Sequence, residues 1–128
     1  MRKVVSVLST CLGIVVLSFM GVASSSATQL QCLGTEPFWG LDVEGGVIQY
    51  SDIDDNITMF ELKEKLASIN HTNRWIIQGA DSKEGKITIS LSKTEQCSDD
   101  MSDFAYEYDV TFAMGENAYS GCCNRIKN

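Results

Sequence analysis

At 128 residues the chain has room for one domain once any targeting segment is set aside. Seventeen acidic against ten basic residues give a formal charge of −7 without any basic cluster, which excludes nucleic acid and strong binding to anionic membrane surfaces. The single histidine, His71, lies in a polar stretch, so no Ser-His-Asp or Cys-His arrangement can be argued from spacing.

The N-terminus reads as an export signal. Met1-Arg2-Lys3 is a short basic start, Val4 to Ala23 is almost uninterrupted apolar or small, and Ser25 and Ala27 sit where a signal peptidase reads. Residues 1–27 are therefore predicted to be a signal peptide, leaving 28–128 as a single β domain. The alternative is an uncleaved signal anchored in the inner membrane, since about twenty apolar residues can span a bilayer. Cys11 follows Thr10 and Cys32 follows Gln31, neither a good context for lipid attachment. Losing Arg2 and Lys3 leaves eight basic residues against seventeen acidic, a net charge of −9. A cationic partner is compatible with that charge, although solubility alone accounts for an acidic surface.

Beyond the signal, short alternating runs are broken by turn residues, the pattern of an antiparallel meander. Phe38 to Glu44 is predicted as a strand with Trp39, Leu41 and Val43 on one face. Gly45-Gly46 turns the chain into Val47–Tyr50, and Ser51 to Asn56 is an acidic loop. Ile57–Leu62 is assigned to a strand, although Glu61 to Leu66 has strong helix propensity. Arg74–Gln78 and Lys86–Ser92 follow, the latter with Ile87, Ile89 and Leu91 on one side. The clearest strand is Phe104–Met114, with Phe104, Tyr106, Tyr108, Val110, Phe112 and Met114 as a core stripe. Gly115-Glu116-Asn117 then leads into Ala118–Cys123. Six or seven antiparallel strands with one apolar face must close into a barrel or stack as a two-sheet sandwich. The fold class is all-β, and periodicity does not choose between the two forms.

Without Cys11, the exported part holds four cysteines, Cys32, Cys97, Cys122 and Cys123. An even number in an exported chain implies two disulfides. Joining the adjacent Cys122 and Cys123 gives poor geometry. Two pairings remain: Cys97–Cys122 with Cys32–Cys123, or the exchange. A domain of about a hundred residues buries only about two thirds of its unfolded surface, so such staples matter. Loop closure gives roughly 3.5 kcal/mol for the shorter loop and about 4.6 kcal/mol for the longer, as upper estimates.

Asp52-x-Asp54-x-Asn56 opens like a calcium loop but fails, with Ile57 at the glycine position and Lys63 at the bidentate glutamate position. Asp99, Asp100 and Asp103 could gather round a cation, but capping is the simpler reading, with Ser98 capping a short helical turn over Asp99–Ser102. No metal ligand set, cofactor motif or catalytic residue is assigned. Glu36 precedes Pro37 and is expected to be extended. Its carboxylate is read as partly buried on backbone amides, the alternative being that it faces a ligand. Trp39 and Trp75 are expected in the core, a rim tryptophan being the first place to look for binding.

Three pieces together resemble a family of small, mostly uncharacterised bacterial envelope proteins, often labelled lipoproteins or membrane proteins. They are Gly34-Thr35-Glu36-Pro37-Phe38-Trp39, then Cys97-x-x-x-Met101-Ser102-Asp103, then Gly121-Cys122-Cys123. The resemblance implies that Cys97 pairs with Cys122, with Cys32–Cys123 an additional bond. Family members often have glycine before Met-Ser-Asp. Here Asp100 stands there, so a positive-φ turn must be borne by Asp, which tolerates it.

The expectation is a non-enzymatic periplasmic or outer-membrane-associated binding or accessory protein for an unidentified protein or small-molecule ligand. One alternative is a lysozyme-inhibitor-like protein with a basic target, although the motifs of known inhibitor families are not evident. A second is a metal- or thiol-active envelope protein. Glu36, Pro37, Phe38, Trp39, Trp75, Met101, Ser102 and Asp103 are the candidate binding residues.

Overall fold

The computed structural model describes residues 29–126. The predicted signal peptide, the alternative anchor and Cys11 lie outside the described residues. Eight antiparallel strands run in chain order: β1 (Leu30–Thr35), β2 (Phe38–Glu44), β3 (Val47–Ser51), β4 (Ile57–Ala67), β5 (Arg74–Ala80), β6 (Lys86–Ser98), β7 (Ala105–Met114) and β8 (Asn117–Arg125). Each pairs with the next, and β8 returns to β1, so the sheet closes as a barrel rather than a sandwich. Closure removes both sheet edges, and a small eight-stranded barrel is just wide enough for its interior to be filled by side chains.

The filling follows the two-residue period of each strand. Leu41 and Val43, Ile87 and Ile89, and Val110 and Phe112 point inward and are essentially inaccessible, joined by Ile48 from β3 and Ile77 from β5. Near one end Trp39 meets Phe112 edge-on with ring centroids 4.9 Å apart, and Tyr119 stacks on Phe112 at 5.1 Å. Gly34 and Gly121 make room for the indole. A Cβ on Gly34 would collide with the Trp39 ring, and one on Gly121 would strike the Leu33 carbonyl as well as that ring.

Three sequence expectations need correction. Leu30–Thr35, where no strand is predicted and only Gly34 and Thr35 belong to a motif, is a strand, and it supplies the partner that closes the barrel. Ile57–Leu62 and Lys86–Ser92 are the first halves of longer strands that reach Ala67 and Ser98, each running through a register shift, at Leu62/Glu64 and at Lys93/Cys97. Phe104 is exposed and precedes β7, while Tyr106 is only half-buried; their rings pack on each other at 4.8 Å. Past the Lys93/Cys97 irregularity, where Glu95 adopts φ 58°, the end of the β6–β7 hairpin no longer contributes to the barrel core. The inward stripe therefore begins at Tyr108.

Both disulfides follow from this geometry. Cys32 and Cys123 are directly opposed on β1 and β8, and their bond lies in the core across the closing seam. Cys122, one residue earlier, faces the other side of the sheet and binds Cys97 from the end of the β6–β7 hairpin. The Cys97 Sγ lies 3.3 Å from the Gly121 carbonyl oxygen. The second bond thus fastens the hairpin end over the outer face of β8, and Cys122 is buried beneath it.

Candidate functional site

The β6–β7 connection is built by Asp99. Its Oδ1 accepts from the Met101 and Ser102 amides at 2.9 and 2.8 Å, and its Oδ2 accepts from the Tyr106 hydroxyl at 3.0 Å. These donors, the Met101 amide foremost, hold the Asp99 carboxyl below its ordinary pKa of 3.8. Ser98 does accept from the Asp100 amide at 3.1 Å, but no helical turn follows. The expected cap is therefore an Asp99-centred bend, because a carboxylate satisfies several amides at once where a hydroxyl satisfies one. Asp100 takes φ 62°, the left-handed geometry that the motif comparison required of it.

This bend is clasped to the β1–β2 turn, where the Glu36–Pro37 peptide is cis and Thr35 faces Phe38. The Thr35 hydroxyl donates to the Asp99 carbonyl at 3.2 Å, across 64 residues of sequence. Between the two turns and the start of β8 opens a cleft of about 530 Å³. Glu36, Pro37, Trp39, Asp100 and Met101 line it, with Tyr119 and its neighbours on β8 opposite. Two acidic side chains and no basic one contribute to this lining among the described residues.

The motif residues are thus only partly gathered. Glu36, Pro37, Trp39 and Met101 share the cleft, Met101 being 68% exposed. Glu36 is exposed at the lip and is not the half-buried, amide-held carboxylate expected from its sequence neighbours. Phe38 faces outward beside the turn and is half exposed. Ser102 is committed to the bend, donating to Asp99 and accepting from the Phe104 amide, and Asp103 stands exposed on the same bend. Tyr119, Asn117 and Ser120 were not foreseen. Only barrel closure brings β8 beside the β1–β2 turn, so no local spacing could have named them.

Trp75 belongs elsewhere. It is half-buried at the other end of the β1–β8 seam, in a second cleft of about 510 Å³ where Leu30, Tyr108 and Arg125 also meet. The acidic loop of the broken calcium pattern uses its own ligands. Asp52 Oδ1 accepts from the Asp54 and Asn56 amides, both at 2.9 Å, and Oδ2 from the Asn56 side-chain amide at 3.0 Å. Among the described residues no group of three His, Cys, Asp or Glu side chains is placed to hold a metal ion. Inside the barrel, burial first and the neighbouring Tyr119 second push the Tyr50 phenol up to about 12.

No protein-family model, curated protein or solved structure matches the chain.

Proposed function

We propose that the protein is an exported, non-enzymatic binding or accessory module of the bacterial envelope, and that it engages its partner through the cleft beside Trp39. The observation that supports this most is convergence. Two motifs more than sixty positions apart, the turn at Glu36-Pro37 and the bend at Asp100-Met101, are clasped together to form one opening. A barrel needs neither an exposed Met101 nor an exposed Glu36 for its own stability, and both stand at that opening. Export fits the same reading. Two disulfides form and persist in an oxidising compartment, and the apolar N-terminal run supplies the address. The likeness to bacterial envelope proteins belongs to this proposal.

The test is crosslinking in cells from a photoreactive phenylalanine derivative at Met101, with the same group at the outward-facing Thr88 as reference. A partner at the cleft gives an adduct from position 101 that is missing from position 88. It weakens when Glu36→Gln and Asp100→Asn are combined. Absence of any adduct specific to position 101 overturns the reading.

The acidic lining favours a second, narrower reading, in which the partner is basic, as for a lysozyme inhibitor. Glu36 and Asp100 at the cleft would steer such a partner by long-range attraction. Assay against a panel of lysozymes decides it, and no inhibition at micromolar protein removes it.

A further inference from the structure

We propose that the mouth of the barrel beside Trp75 is a second binding site, independent of the motif cleft, for a small organic anion carrying an apolar body. Lys65, Lys93 and Arg125 line this mouth, and no acidic side chain does among the described residues. In an exported segment with seventeen acids and eight bases, that is a segregation of charge against the composition. The overall negative charge does not cancel it. Salt screens distant charges beyond about 8 Å at physiological ionic strength, whereas a bound anion meets the rim cations directly.

The apolar part of the site is the floor. Leu91 and Tyr108 are buried beneath the opening, and the half-buried Trp75 ring stands edge-on to Tyr108 with centroids 6.0 Å apart. This gives an aromatic wall under a cationic rim, the usual make-up of a site that fixes an apolar body by its charged end. The rim is also held in place. Arg125 Nη2 donates to the Tyr108 hydroxyl at 3.0 Å, which orients a guanidinium with further N–H donors to offer. Asn73 fastens the backbone from which the Lys93 side chain springs: its carbonyl accepts the Lys93 amide at 2.8 Å and its side chain donates to the Lys93 carbonyl at 3.2 Å. Glu95 and Glu107 approach from outside the opening. Glu95 lies 3.7 Å from the Lys93 ammonium, and Glu107 accepts the Arg125 backbone amide at 3.4 Å. Neither lines the cleft, and the Lys93–Glu95 pair is exposed and weak enough to yield to a ligand.

The test uses the oxidised protein with 8-anilinonaphthalene-1-sulfonate, and with N-phenyl-1-naphthylamine as a neutral compound of similar ring body. The sulfonate is expected to bind saturably at one site and to quench Trp75. The neutral probe is expected to bind roughly tenfold more weakly, as are Lys93→Gln and Arg125→Gln toward the sulfonate, the loss expected for one charge-assisted contact. Arg125→Lys, which keeps the charge, retains most of the affinity, and Glu36→Gln at the other cleft leaves it unchanged. Near-ultraviolet circular dichroism identifies any variant that has lost its packing. Equal affinity for the two probes, or unchanged sulfonate binding in both neutralised variants, overturns the proposal. Co-sedimentation with phosphatidylcholine vesicles, with and without phosphatidylglycerol, separates the sources of the anion. Pelleting that requires phosphatidylglycerol and is blocked by the sulfonate assigns the anion to a lipid headgroup; no pelleting assigns it to a free small acid.

Discussion

The two ends of the β1–β8 seam are built from the same strands and are opposite in character. At one end, Glu36 and Asp100 line a cleft made by two turns, one of them held to the barrel by a disulfide and a hydroxyl clasp. At the other, Lys65, Lys93 and Arg125 surround an aromatic floor, with the rim set by strand pairing and Asn73. Each end contains one of the two tryptophans, Trp39 buried and Trp75 half-buried. The contrast shows how a small barrel with a filled interior can present two unlike surfaces: its core sets the distance between two rims, and each rim takes its own charge.

The disulfides give the largest test of that separation. Replacing Cys32 and Cys123 together by alanine opens the seam that both ends share and is expected to cost up to about 4.6 kcal/mol of stability in denaturant unfolding. Replacing Cys97 and Cys122 by alanine instead costs up to about 3.5 kcal/mol and releases the Asp99–Phe104 bend, a local loss. The second variant, if folded, should lose the Met101 crosslink and keep sulfonate binding at the mouth. Loss of both activities at moderate protein stress would show that the ends are coupled through β8.

A smaller effect comes from Gly34→Ala. The added methyl meets the Trp39 indole, which is walled in by Phe112 and Gly121, so the change is expected to destabilise by about 1–3 kcal/mol. The near-ultraviolet dichroism of Trp39 should change while quenching of Trp75 by the sulfonate persists. Wild-type stability in this variant would mean that the indole has room to turn, and that the cleft wall it forms is softer than the structure depicts.

The sequence was most legible where side chains alternate without interruption. Ile87, Ile89 and Leu91, and Val110 with Phe112, announced their strands, and the cysteine count announced the staples. β1 was hidden because its inward positions are Leu30, Cys32 and Gly34: a thiol engaged in a bond and a residue with no side chain leave little apolar signal. The second half of β4 was hidden by Glu61-Leu62-Lys63-Glu64-Lys65-Leu66, whose helix propensity is overridden by pairing with β5. Phe104 and Tyr106 carried the correct alternation into a hairpin end that has left the barrel core, since a pattern cannot register a bulge ahead of it. The motif cleft was half legible, through Glu36, Pro37, Trp39 and Met101. The basic mouth was not legible at all, because Lys65, Lys93 and Arg125 lie on three strands with no shared spacing.

The smallest test reads the two ends through single carboxylates. Asp99, in the bend, is lowered from 3.8 chiefly by the Met101 and then the Ser102 amide, whereas Asp42 on β2 is raised from 3.8 by burial and then by Glu44. Asp42 pairs with Gln31 near the mouth end of the seam. Carboxyl carbon titration by nuclear magnetic resonance should therefore give a midpoint below 3.8 for Asp99 and above it for Asp42. The consequences for stability have opposite signs. A depressed folded pKa means that Asp99 supports the bend fully above the ordinary carboxylate range and loses that support as pH falls through its folded value. Exchange protection of the Met101 and Ser102 amides should decay there, and Asp99→Asn should reproduce the decay at neutral pH. Ionised Asp42, by contrast, weakens the fold at neutral pH and is relieved as it takes up a proton. A midpoint below 3.8 for Asp42 would mean that the positive field of the mouth reaches the outer face of β2, and that the charge separation between the ends extends over the surface and not only along the rims.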